Sequence, residues 1–109
     1  MKMMVDTWDS RSEFSYEGCI LTGTKIWYGE KSSVKVTSQQ YAKLRGNFLG
    51  QVIPAGASRT TPPTQSLGEW LKNNVTKTAI ASYVAPILVR EGYAVKEGKG
   101  NKALIRIIR

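Results

Sequence analysis

Histidine is missing altogether from this chain of 109 residues. That removes the commonest general base and the commonest metal ligand, and with them nucleophile–histidine pairs and zinc sites built on imidazole. Cysteine occurs once, as Cys19, so no internal disulfide can form and the thiol has no imidazole to activate it. It is expected in the interior as a small hydrophobe. Long apolar runs are absent as well. The best candidate, AIASYVAPILV at 79–89, contains Pro86 and falls well short of the ~20 residues that a spanning helix needs, so no membrane partner is expected. The opening MKMMVDTWDS lacks the apolar segment of a signal peptide. With a single cysteine, a cytoplasmic protein is the expectation.

Acidic residues are the scarce charge. Asp6, Asp9, Glu13 and Glu17 gather near the N-terminus, where no fixed geometry is expected, and Glu69 and Glu91 are accounted for by helix ends. Neither a phosphate-binding loop nor a dinucleotide-binding glycine pattern is present, since GKGNK falls in a hairpin. No catalytic residue, no metal site and no cofactor is expected, and the chain does not read as an enzyme.

Positive charge is plentiful. Sixteen Lys and Arg face eight Asp and Glu, a formal +8, which draws polyanions to the surface. Residues 66–109 carry eight of these cations against three acids, a net +5. The hydrophobic share of 41% is an ordinary globular balance, so the length and composition predict one compact α+β domain overall.

Within it, residues 1–13 show no period and are read as a flexible arm that Trp8 pins to the body. Residues 14–60 form a small β-rich subdomain: the β-branched and aromatic stretch 14–36 gives two or three strands. Thr37 and Gln40, at capping-box spacing, start a short helix with Tyr41, Leu44 and Phe48 at helical intervals. Pro54, Pro62 and Pro63 mark a connection, with a boundary near residue 60. Residues 61–109 begin a second unit. Ser66 and Glu69 form another capping box before Leu67, Trp70 and Leu71. A second helix, 76–91, starts at Thr76, buries Ile80, Val84 and Leu88, is kinked or broken at Pro86, and is stopped by Gly92 in a left-handed cap. After it, YAVKE and KALIRII are strands around GKGN. The last strand is apolar on both faces apart from Arg106 and should be covered by the N-terminal subdomain or by a second chain.

Leu67, Trp70 and Leu71, then Val75 and Thr76 in the turn, then Ile80, Val84 and Leu88, then LVREGYAV leading into a cationic hairpin give helix, turn, helix, wing. In this order of elements residues 66–109 resemble the winged helix-turn-helix superfamily. The resemblance implies a DNA-binding protein, a transcriptional regulator or DNA-associated accessory factor, with helix 76–91 in the major groove of duplex DNA and the 96–102 wing beside it. Lys77 at the helix start, where free amides favour a phosphate, Lys72 on the preceding helix, and Lys96, Lys99 and Lys102 on the wing are the expected backbone contacts. Thr78, Ser82, Ala85 and Val89 form the outward face, with no Arg, Asn or Gln for bidentate base contacts. Arg59, in GASRTTPP, is a candidate minor-groove arm or a loop tie.

Other readings stand beside this one. The same winged-helix face could serve a protein partner, and the basic balance fits association with RNA or the ribosome. Phe14, Tyr16, Trp27, Tyr28 and Lys25 could make a stacking platform for single strands. The doubly apolar last strand motivates a homodimer.

Overall fold

Alternation decides the first sheet. In β2 (Glu13–Cys19), β3 (Gly23–Tyr28) and β4 (Ser32–Val36), the buried residues all fall on one alternating face: Phe14 and Tyr16, Thr24 and Ile26, then Val36. The intervening Glu17, Lys25, Trp27 and Lys35 stand on the opposite face. The computed structural model describes residues 2–8, 12–29, 31–56, 65–97 and 104–109. The stretch 14–36 accordingly forms three strands, and the sheet has a fourth that the sequence reading assigned to a flexible arm. Residues 3–6 pair as β1 (Met3–Asp6), antiparallel to β2 with Val5 opposite Phe14, so the order is β1-β2-β3-β4. Four residues are too few for alternation to show in sequence; the partner strand creates this one.

Thr37 caps α1 (Ser38–Phe48) with the reciprocal bonds of a capping box, its hydroxyl accepting from Gln40 N–H while the Gln40 side chain accepts from Thr37 N–H. Tyr41, Leu44 and Phe48 make the buried side, as their spacing requires. The chain then forms β5 (Val52–Pro54), which pairs with β7 (Leu104–Ile107) of the second sheet, whose order is β5-β7-β6 with β6 at Ala94–Glu97. A boundary near residue 60 would separate β5 from its own sheet. On the second sheet Ile53, Ala94, Ile105 and Ile107 are buried, whereas Val52, Val95 and Ile108 are exposed, so the last strand is covered on one face only.

α2 (Leu67–Asn74) begins at Ser66, whose hydroxyl accepts from Glu69 N–H. The return bond of the expected box lands one residue earlier, the Glu69 carboxylate accepting from Gln65 N–H. α3 (Ala81–Arg90) starts five residues later than the sequence reading placed it, with Ile80 as an uncapped start. Thr76 does not cap it because its hydroxyl accepts from Thr78 N–H in a local turn, the alternative that threonine offers to helix.

Pro86 does not break α3; the helix is continuous from 81 to 90. A proline at 86 leaves the Ser82 carbonyl without its helical donor, and Trp8 N–H donates to that carbonyl at 3.0 Å. The defect in one element is satisfied by another. At the far end Gly92, at φ +82°, donates to Val89 while Tyr93 N–H donates to Leu88, the paired bonds of a Schellman cap.

One core joins these parts: Tyr16 and Ile26 from the first sheet, Leu44 and Leu71 from the first two helices, Leu88 from α3 and Ile105 from the second sheet are all essentially solvent-free. The radius of gyration, 12.5 Å, is that of a compact chain of this length, about 13 Å. Among the described residues, no helix is long and apolar enough to cross a membrane.

Candidate nucleic-acid interface

Helix α3 lies against the inner face of the first sheet and is packed on nearly every side. Tyr83 stacks on Tyr28 with ring centroids 4.8 Å apart and meets Phe14 edge-on at 5.2 Å. Ala81, Val84, Ala85, Ile87 and Leu88 are buried. The outward face expected from the helical wheel is thus not a free surface. Ala85 is fully buried, Ser82 and Val89 are half-buried, and Thr78, though exposed, precedes the helix. A wheel drawn for one helix against one core cannot anticipate a sheet arriving on the second side.

The C-terminal end of α3 is fixed through Glu91. Its carboxylate accepts from Tyr16 O–H at 2.8 Å and from Ile20 N–H at 2.9 Å. Burial first, and then the bond to Glu91, push the Tyr16 hydroxyl up to about 12. A second buried phenol, Tyr41, shares a 2.6 Å hydrogen bond with Thr24 and is raised still further by burial. Cys19, expected inside, is half-buried at the end of β2. There its sulfur lies 3.2 Å from Thr22 Oγ1, and hydrogen bonding from Thr22 holds the thiol below its ordinary range.

The expected cations are distributed around this framework. Lys77 is exposed in the turn before α3, beside Tyr28 and Tyr83, instead of within the helix. Lys72 is half-buried on α2. Lys96 is exposed on β6, its ammonium 4.8 Å from the Trp8 ring centroid. Arg59, Lys99 and Lys102 lie outside the described residues. Arg90, not singled out by sequence, is exposed at the last turn of α3 with its guanidinium 3.8 Å from the Met3 sulfur. With Trp8, Pro86, Val89 and Lys96 it borders an open hollow of about 470 Å³. Trp8 is buried, and its indole N–H has no acceptor among the described residues. The sequence marked Trp8 as a pin and Lys96 as a wing cation but gave no sign that they meet, because Trp8 lies more than seventy positions from its partners.

The five residues proposed as a stacking platform separate. Phe14, Tyr16 and Tyr28 face inward, whereas Trp27 and Lys25 stand on the outer face of the first sheet. There the Lys25 ammonium is 5.1 Å and the Lys2 ammonium 4.1 Å from the Trp27 ring centroid. Lys2 had no distinguishing mark in the sequence.

Comparisons with protein-family models, with curated proteins and with solved structures find no match to this chain.

Proposed function

We propose that residues 66–109 act as a winged helix-turn-helix unit that binds duplex DNA mainly through its phosphates. The observation that carries this reading is the succession α2, short connection, α3 and hairpin, with Arg90 exposed at the end of α3 and Lys96 exposed on the first strand of the hairpin. Lys77 adds a third exposed cation before α3. Such side chains release condensed counterions when they meet phosphates and confer affinity without reading sequence.

The packing of α3 refines this. A helix whose sides are occupied by Tyr28, Phe14 and the Trp8 segment, and which carries no Asn, Gln or Arg before its last residue, has little with which to contact base edges. Binding is therefore weakly selective among duplex sequences. The test is fluorescence anisotropy of a labelled mixed-sequence duplex at a series of salt concentrations. Affinity should fall linearly on a log–log plot, and Arg90→Ala with Lys96→Ala should lower the slope by about 2. Absence of binding at low salt, or an unchanged slope in the double variant, would refute the reading.

A further inference from the structure

The outer face of the first sheet carries a second arrangement, independent of the wing. The register β1-β2-β3-β4 sorts its side chains into rows that run across the strands. Met4, Ser15, Trp27 and Ser33 lie side by side in one row. In the next row Glu17 pairs with Lys25 and Lys25 with Lys35, and Lys2 continues it beside β2, its ammonium reaching back over the Trp27 ring. On the other side of the tryptophan row, Asp6 opposes Glu13. The row that holds Trp27 is thus bordered by three cations and one acid on one side, and by Asp6 and Glu13 on the β1–β2 half of the other, with Lys31 next to β4.

We propose that this face binds single-stranded nucleic acid, with a base stacked on Trp27 and the adjoining phosphates held by Lys2, Lys25 and Lys35. Rows separated by two residues along a strand are about 7 Å apart, within reach of a nucleotide from its base to its own phosphate. Three cations spread over four strands span roughly 14 Å, enough for a short run of backbone. The acid pair repels phosphates from the opposite side next to β1 and β2, so the three-lysine side of Trp27 is the favoured path for the backbone. Beyond the lysine row the surface opens into a hollow of about 560 Å³ bordered by Lys25, Lys35, Thr37, Ser38 and Gln39, with Glu17 on its rim, and with room for a neighbouring nucleotide.

In the free protein the lysine ammonium groups rest on the indole, a cation–π contact that covers the aromatic surface. An incoming base takes that surface, and the displaced ammonium groups turn to the phosphates, so both partners of the cation–π pair gain a new one. A duplex cannot use the site, because its bases are stacked and paired inside the helix and present no face to a side chain on a flat sheet. Stacking is tolerant of base identity, so no sequence preference is built in.

The experiment is anisotropy titration of labelled oligo-dT and oligo-rU against the whole chain and against Trp27→Ala, Trp27→Phe and Lys25→Ala/Lys35→Ala, with circular dichroism confirming that each variant folds. Trp27→Ala should weaken single-strand binding about tenfold or more, Trp27→Phe should retain most of it, and the double lysine variant should flatten the salt dependence. Arg90→Ala with Lys96→Ala should leave single-strand affinity unchanged, which separates this site from the duplex reading. Stronger binding of oligo-rU would assign a contact to the 2′-hydroxyl, and equal binding would assign the affinity to base and phosphate alone; both support the site. No binding of either oligomer, or binding that Trp27→Ala leaves intact, would overturn it.

Discussion

Glu91 joins the two ends of the chain through two bonds to groups on and beside β2, Tyr16 O–H and Ile20 N–H. Removing its carboxylate strands two donors in a partly buried site, each costing about 1–3 kcal/mol. Glu91→Ala should therefore lower the unfolding free energy by roughly 2–6 kcal/mol, measured as a shift of the urea midpoint at unchanged slope. Glu91→Gln, which keeps one carbonyl oxygen, should lose less. The same contact sets behaviour at high pH. Tyr16, raised to about 12 in the fold from 10 when unfolded, binds its proton more tightly in the native state, and Tyr41 is shifted in the same direction. Their contribution is complete below pH 10 and is lost as pH rises towards the native values. Stability should thus decline above pH 10, and phenolate absorbance should appear later in native protein than in urea. Coincident titration curves in the two conditions would contradict this account.

Elements differ in how plainly the sequence announces them. The starts of α1 and α2 were legible because Thr37 with Gln40, and Ser66 with Glu69, make bonds within one turn. The stop of α3 at Gly92 was legible for the same reason. The start of α3 was not, because Thr76 has a competing local bond and Ile80, the actual start, makes no side-chain cap. Continuity through Pro86 was invisible too: the donor that compensates it, Trp8 N–H, lies 74 positions from the Ser82 carbonyl it satisfies. β1 was missed because its only strand signal lies in β2. The Trp8 contact makes β1 dependent on α3. Trp8→Ala removes the buried indole, at a cost of roughly 3 kcal/mol. In hydrogen exchange the amides of β1 should lose protection before those of β3. Equal loss across the sheet would show that β1 is held by β2 alone.

For the molecule as a whole, the α+β class and a basic surface could be read from composition and periodicity, since both depend on residue type and not on who meets whom. The candidate sites could not. Arg90, Lys96 and Trp8 come together from three elements, and Lys2 reaches Trp27 across the sheet. A charge count sees sixteen cations without their places. The covering of the first sheet by α3 also has a meaning in time. Tyr16 meets Glu91 across 75 positions of chain, and synthesis proceeds at about 5–20 residues per second. The strands that leave the ribosome first, with Phe14, Tyr16 and Ile26 on one side, therefore wait roughly 4–15 seconds for the helix that will cover them. During that interval the part of the apolar face that α1 does not cover is open to whatever the nascent chain encounters.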